Sequence, residues 1–551
     1  MKCYLTEIDK KFDPKKDIAL GAWCLRTPQD AVDVRFIDVY DSKEILPLHR
    51  KLFDLSYYLL NRDLQGENDY LKTLYYHHFQ MHYLYLVFFA FSKFRSIKKL
   101  MSQYSQEDIV FEKVAPPEEL NEGLITLTYF RASAAGYLSY MILQHMSPGI
   151  KLRTFTKSYS GSTNCKIKKK LSRKGFWGYF KQSLKRKMNL FYQVSGISFC
   201  RGLFLSILYQ AANMKRTAES FEIYSPEIKI DEEISEFINI FNVISSVFIK
   251  KLMDYSFDYK AKIPKLVIQT PSFIYSKKTS FAYARAVISG KIKVIIFQHG
   301  AWYATIKKHF MREIEYNRAT FLSWGEEHVS YLERKKVINH LPFPYLSFLS
   351  NKYKYKNQNG VLWVTGVHYR AGDGLEYLSG KMAIEYMNKK RAFYQSLNKK
   401  ITTELLYKSL HSSSEMFPDI MLDMIPKNQQ FFGFGIIPCM LKSKIIFLDY
   451  YGTPFYEAMS MNAPIVLGLL ELEPYFTEAA STIFQKFEEV GVVYRTPEEA
   501  ASVLNKLDDM DIQKWWNNEK IQTVRREFLT KYANNKPYFW PWCKAILKGD
   551  I

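Results

Sequence analysis

VIIFQHGAWY, residues 294–303, sets the reading of the fold. Val-Ile-Ile-Phe is an apolar run of the length and β-branched content expected of a strand buried on both faces of a parallel sheet. It ends in Gln-His-Gly and two aromatics rather than in turn residues. In open α/β sheets the carboxyl ends of strands are where ligands bind, and His299 stands at such an end. An imidazole there can donate to a phosphate or act as an acid or base near neutral pH, or simply satisfy a loop carbonyl. Gly300 allows another group to approach the backbone closely.

Working outward, strand-like runs alternate with helical runs in two blocks, the pattern of parallel α/β architecture. The first block holds DIALGAWCL (17–25), VDVRFIDVY (32–40), PKLVIQT (264–270), KVIIFQHG (293–300) and ATFLSWG (319–325), expected to share one sheet. A helical, aromatic and basic insertion spans about 44–250. After a linker at 341–360 comes the second block. It reads GVLWVTG (360–366) as a strand, 382–400 as a helix, ITTELLYKSLH (401–411) as a strand, and KIIFLDYY (444–451) as another. A helix at 454–461, a strand PIVLGL (464–469) and a Thr-capped helix in TPEEAASVLNKL (496–507) follow, and WWNNEKIQTVRREFLTKYA (515–533) predicts one long amphipathic helix. The expected division is 1–345, 346–515 and a closing helical segment 516–551: two Rossmann-like domains facing a cleft.

With 551 residues, 47% apolar and 24% charged, the composition is that of a globular chain of more than one domain. Six scattered cysteines, without any C-x-x-C pair, fit a reducing cytoplasm rather than a disulfide framework. The first residues, MKCYLTEIDKKFDPKKD, lack the apolar core of a signal peptide. The most apolar run, 83–91, falls well short of the roughly 20 residues that span a bilayer. The formal net charge is +22, and residues 166–188 hold ten Lys and Arg, no acid, and an aromatic cluster of Phe176, Trp177, Tyr179 and Phe180. Cations flanking rings suit an anionic membrane surface. A solvated loop is the plainer reading. No nucleic-acid-binding motif accompanies the charge, so no nucleic acid is expected as a partner.

Three further groups of residues bear on chemistry. Glu313 and Glu315, just before the ATFLSWG strand, offer a carboxylate base toward an acceptor hydroxyl, or a solvated face. In DYYGTPFYEAMSMNAPIVL (449–467) a strand ends at Asp449 and a helix begins after Gly452, and both residues are expected at the nucleotide-sugar donor. Thr453 is the expected N-cap, Pro454 suits the first helical turn, and the free N–H groups make an anion site for a nucleotide phosphate. Glu457, one turn in, would accept from ribose hydroxyls. Arg370, after the second block's first strand, offers a phosphate or carboxylate partner. His78 and His82 stand at i,i+4 without a third ligand of suitable type, so no metal site is expected. Neither a dinucleotide fingerprint nor a P-loop is present.

Taken in order, GAWC (21–24), QHGAWY (298–303), LSWG (322–325) and the Trp-bearing segment at 515–533 resemble the motifs of a family of bacterial surface-carbohydrate transferases. That family is similar to the GT-B-fold retaining β-Kdo transferases. The resemblance implies a GT-B-like glycosyltransferase, peripheral at the cytoplasmic membrane's inner face. It would transfer an acidic sugar, Kdo or a sialic-acid-like nonulosonic acid, from a CMP-activated donor to a cell-surface glycan or its lipid-linked precursor. It implies no cofactor beyond that donor substrate. By resemblance His299 faces the nucleotide phosphate or the reacting sugar, and Gly300 and Tyr303 lie with it at the donor. The chain departs at Ala22 and Ala301, where the family has Glu and Gly, and 271–287 contains no Asp or Glu to match the retaining enzymes' nucleophile. Retention and inversion both stay open. The competing expectations are another nucleotide-activated transferase, such as a CDP-polyol phosphotransferase, and a non-catalytic basic scaffold.

Overall fold

Three parallel sheets organise the chain. The computed structural model describes residues 1–5, 12–13, 15–20, 24, 42–116, 132–154, 196–212, 223–256, 266–269, 281, 284–285, 288, 293–307, 314–316, 320–325, 336–350, 352–353, 360–366, 380–409, 419–432, 435–470, 476–506 and 511–550. Glu313, Arg370, the basic stretch 166–188 and the run 32–40 lie outside them, as does 21–23 of the GAWC motif.

The first sheet pairs β1 (Lys2–Tyr4), β2 (Ile18–Ala19), β3 (Val110–Glu112) and β4 (Leu152–Arg153) in the order β2-β1-β3-β4. The second aligns β5 (Leu266–Gln269), β6 (Lys293–Phe297), β7 (Thr320–Leu322) and β8 (Lys336–Ile338) in chain order. This corrects the expectation of one continuous first-block sheet. Among the described residues the two sets of strands are separate, and β3 and β4 arise within the stretch read as mainly helical. Both are two or three residues long, too short to show a period. Their place is set by remote partners: Leu5 N–H donates to buried Glu112 Oε2 at 2.9 Å, tying the end of β1 to the end of β3.

Helices α1 (Ser42–Asp63), α2 (Asp69–Gln103), α3 (Ala132–Met146), α4 (Phe199–Ala212) and α5 (Glu232–Ser256) supply the helical layer. Asn68 starts α2 by accepting from Leu71 N–H. Residues 83–91 of α2 are buried in the aromatic core of this layer, and no described helix is long and apolar enough to cross a membrane.

Beyond α6 (Pro344–Leu349) the third sheet begins with β9 (Val361–Val364). Next come α7 (Gly380–Ser396), α8 (Lys399–Glu404), β10 (Leu405–Ser409), β11 (Gln430–Phe432) and β12 (Ile445–Leu448). The block closes with α9 (Thr453–Met461), β13 (Ile465–Gly468), α10 (Glu478–Glu489), β14 (Val493–Tyr494) and α11 (Pro497–Asn505). The sheet order β11-β10-β9-β12-β13-β14 is 3-2-1-4-5-6 in its own strands, the doubly wound Rossmann order. Its central strands VLWV, IIFL and IVLG are buried along their length, because helices cover both faces.

Two expected elements change. Residues 401–404, read as strand, are helical, because Asn398 accepts from Ile401 N–H and nucleates a turn before β10 starts at Leu405. The single helix at 515–533 is two, α12 (Ile512–Trp516) and α13 (Glu519–Tyr532), interrupted where Asn518 caps the second by accepting from Lys520 N–H. A last helix, α14 (Phe539–Lys548), returns to the second sheet, where Trp542 stacks on Phe297 with centroids 5.6 Å apart.

Asp449, expected to bind the donor, is instead wholly buried and clamps β9 to β12. Its Oδ2 accepts from Trp363 Nε1 at 2.8 Å, and its Oδ1 from Tyr386 Oη at 2.7 Å and Gly366 N–H at 3.1 Å. Burial pushes its pKa up, opposed by the Lys390 charge and by hydrogen bonds from Tyr386, Thr365 and Trp363. Asp449→Ala strands three donors in the core and should cost about 3 kcal/mol or more, while Asp449→Asn should retain part of that, as read from urea unfolding.

Candidate active site

The site is built at the end of β6 by two strand termini that lock each other. Gln298 is fully buried. Its Oε1 accepts from Trp324 N–H at 2.8 Å, its Nε2 donates to Gly300 O at 2.9 Å, and Trp324 Nε1 donates to Gln298 O at 3.0 Å. The Gln of QHG and the Trp of LSWG are thus one hydrogen-bonded unit, and the next residue, His299, emerges exposed.

Behind the imidazole runs a relay. The Tyr303 hydroxyl lies 2.6 Å from His299 Nδ1 and donates to Glu315 Oε2 at 2.6 Å. Since that hydroxyl proton is directed at the carboxylate, Nδ1 carries the proton it shares with the tyrosine oxygen, and Nε2 is left as an acceptor. Surrounding protein desolvates the ring and pushes its pKa down from 6.5 to about 4, although the residue as a whole is exposed. At neutral pH the imidazole is therefore uncharged. Tyr303 is 1% exposed and Glu315 0%, which corrects two expectations. Neither side chain is open to a ligand from solvent; both lie behind His299, joined to it through the Tyr303 hydroxyl.

The chain is bent into this arrangement at Trp302, whose φ of 86° is rare for a residue with a side chain. That turn sends Ala301 N–H outward to Thr453 Oγ1 at 3.2 Å and Trp302 Nε1 to Tyr451 O at 2.7 Å. A side chain at Gly300 would place its Cβ 3.2 Å from the same Thr453 oxygen, so the glycine is what permits the approach. The contact continues along the segment. Thr477 N–H donates to Thr305 O at 2.9 Å and its hydroxyl to Ala304 O at 2.9 Å, while the same hydroxyl caps α10 by accepting from Ala480 N–H.

His299 and the start of α9 are therefore neighbours. The cap of α9 is Gly452 rather than Thr453, and no side chain caps it. A Cβ at Gly452 would sit 2.5 Å from the Tyr450 ring, which explains the residue. Pro454 brings no N–H, and Phe455 N–H closes onto Gly452 O at 3.0 Å, so this helix start presents the amides of Gly452 and Thr453 rather than a full turn of donors. Glu457 is 7% exposed and accepts from Tyr345 Oη at 2.6 Å. It ties α6 to α9, a different place from the ribose contact expected.

Sequence reading missed Thr477 and the buried pair of Lys390 with Asp419, 2.9 Å apart, whose other carboxylate oxygen takes Tyr407 Oη at 2.5 Å. Neither had a local signal, since each is completed by a partner more than ten residues away. A cavity of about 300 Å³ lies elsewhere, between α1 and α5, where Arg50 pairs with Asp54 and Lys51 with Asp231. Among the described residues no group of three His, Cys, Asp or Glu could hold a metal ion.

An α/β chain with an imidazole relay at a strand end facing a helix start has the layout of a group-transfer enzyme, and residues 84–547 match the model of a transferase family. The chain belongs to that family, the LIC12162 family transferases. No curated protein matches it. Solved structures resemble it only distantly. An α,α-trehalose 6-phosphate synthase from Burkholderia multivorans has 9% identity over 58% of this chain and 76% of that one, with a TM-score of 0.28. A UDP-forming α,α-trehalose-phosphate synthase from Burkholderia vietnamiensis has 8% identity over 58% and 80%, also at 0.28. Both are too distant to assign fold or substrate.

Burial raises the Glu457 pKa from 4.5 to about 7, with the Tyr345 hydrogen bond opposing. A raised carboxyl pKa contributes stability that is complete below 4.5 and is lost as pH rises through about 7. Glu457→Gln has no such loss. Between pH 4.5 and 8 the stability difference, followed by thermal unfolding, should move in the variant's favour by up to about 3 kcal/mol.

Proposed function

We propose that this transferase is a GT-B-like glycosyltransferase that moves an acidic eight- or nine-carbon sugar from a CMP-activated donor to a hydroxyl of a cell-surface glycan or its lipid-linked precursor, at the inner face of the cytoplasmic membrane. The observation that carries the chemistry is the His299–Tyr303–Glu315 relay, which leaves a neutral imidazole with Nε2 as acceptor at an open strand end. The resemblance of the QHG and WG motifs supports the donor class, and the cations of 166–188 support the membrane placement.

In this reading Nε2 takes the proton of the acceptor hydroxyl as its oxygen bonds to the anomeric carbon. The bond from that carbon to the donor phosphate breaks, and its electron pair leaves on the phosphate oxygen of CMP. The imidazolium that forms is stabilised through Tyr303 by the Glu315 carboxylate, a role like that of the buried acid in a hydrolase triad. The α9 amides of Gly452 and Thr453 favour the departing phosphate. With no acid in 271–287 to serve as nucleophile, direct displacement with inversion is the outcome proposed.

Thermal shifts with CMP, CDP and UDP test the donor. Stabilisation by CMP alone is expected; a shift with CDP alone points to polyol-phosphate transfer, and none with any nucleotide defeats the enzyme reading. His299→Ala should lower kcat by about 10²–10⁴-fold with the thermal midpoint unchanged, the range a general base supplies. Tyr303→Phe should lower kcat with little change in KM. Because the working base is neutral imidazole, the rate should stay level as pH falls past 6.5 and drop only on approach to about 4. A decline centred at 6.5 would contradict the desolvated site.

A further inference from the structure

Helices α4 and α14 share an apolar outer face. In α4, FCRGLFLSILYQAA, the residues Cys200, Phe204, Ile207 and Ala211 follow one another at steps of four, three and four and so lie on one stripe. All four are exposed, Phe204 to 49% and Ile207 to 54%, while Leu205 and Tyr209 are buried on another side. A helix apolar on both sides ordinarily lies in a core. Its neighbour α14, FWPWCKAILK, buries Trp542, Cys543, Ala545 and Ile546 and turns Trp540 and Leu547 outward at 74% and 65% exposure. The two helices meet where the Phe204 and Phe539 rings lie 5.8 Å apart, with the Arg201 guanidinium over Phe539 at 5.4 Å. Exposed Lys544 and Lys548 stand on α14 beside Trp540 and Leu547. Together the helices carry Arg201, Lys544 and Lys548 and no acid.

We propose that this face seats the protein on an anionic lipid bilayer. Trp540, Leu547, Phe204 and Ile207 enter the boundary between headgroups and acyl chains, and Arg201, Lys544 and Lys548 meet lipid phosphates. An exposed tryptophan among aliphatics with a cationic fringe is the composition of an interfacial helix. The same charge disfavours a second copy of this chain as the occupant, because a two-fold interface would bring the three cations of one copy against those of the other. The proposal deepens the membrane placement above and rests on it, but uses residues separate from 166–188.

The test is co-sedimentation of the full chain, without nucleotide, with vesicles of phosphatidylcholine alone and of equal parts phosphatidylcholine and phosphatidylglycerol. Wild type should bind the mixed vesicles preferentially. Trp540→Ser/Leu547→Ser should lower that partitioning about tenfold or more, as should Lys544→Glu/Lys548→Glu, with thermal midpoint and the CMP-induced shift unchanged. Mixed-vesicle binding equal between wild type and Trp540→Ser/Leu547→Ser overturns the face while leaving membrane placement to 166–188. Failure of wild type to bind overturns both, and the donor reading keeps its separate nucleotide test. A wild-type dimer on size exclusion that Trp540→Ser/Leu547→Ser converts to monomer assigns the face to a second copy and likewise overturns the proposal.

Discussion

The hydroxyl of Tyr303 has a single proton and lies between an imidazole and a carboxylate that compete for it. Glu315, wholly buried at 2.6 Å, takes that proton; His299 Nδ1, also at 2.6 Å, must then supply its own. The tautomer of an exposed imidazole is thereby decided by a carboxylate that solvent cannot reach. Everything else near the strand end serves this geometry. The Gln298–Trp324 lock fixes the height at which His299 leaves β6, and the strained turn at Trp302 brings Tyr303 back beneath the ring. The lock holds the backbone of His299 and the relay holds its ring.

A second constraint follows from the turn after His299. The segment 300–306 forms hydrogen bonds with Tyr451, Thr453 and Thr477, so the strand end that presents the imidazole is also the joint with the third sheet. Tyr451 Oη reaches both Thr305 Oγ1 at 3.1 Å and Tyr456 Oη at 2.5 Å, carrying the contact into α9. Tyr345 and Glu457 add a tie from α6, and Glu457 with its pKa near 7 makes that tie sensitive to pH around neutrality. The position of His299 relative to the α9 amides is therefore set by side chains of both blocks and not by one loop.

Much of this is legible in residues 293–300, 360–366, 444–469 and 496–497. The apolar runs of β6, β9, β12 and β13 read as buried parallel strands, and Thr496 with Pro497 read as a cap, because in each case the determinant lies within a few residues. His299, Gly300 and the Gly452–Pro454 turn stand out on local chemistry, and the structure joins the two segments through Ala301 and Thr453. What escaped was non-local. Nothing in the spacing of Tyr303 and Glu315 says that a hydroxyl will bridge His299 to the carboxylate, so Glu315 looked like a base in its own right. Asp449 looked like a ligand-binding strand end, although its three donors come from Trp363, Gly366 and Tyr386, more than sixty residues away. The two-residue β2 and β4 carry no period at all; only their partners make them strands.

The placement of α14 relates the surface to the site. Its inner side stacks Trp542 on Phe297, the last residue of β6 and two positions before His299, and Trp542 Nε1 donates to Pro342 O at 2.9 Å. Its outer side shows Trp540 and Leu547 to solvent. One helix, about 10 Å across with its side chains, therefore separates the exposed apolar face from the strand that carries the imidazole. Arg201 of α4 lies over both Tyr538 and Phe539 at the start of α14. A surface that settled at a lipid headgroup layer would hold β6 at a fixed short depth above it, through rigid packing rather than a tether. For an acceptor anchored in lipid, that restriction confines the search for the reacting hydroxyl to a layer, and so raises its effective concentration at the strand end without any added affinity for the glycan.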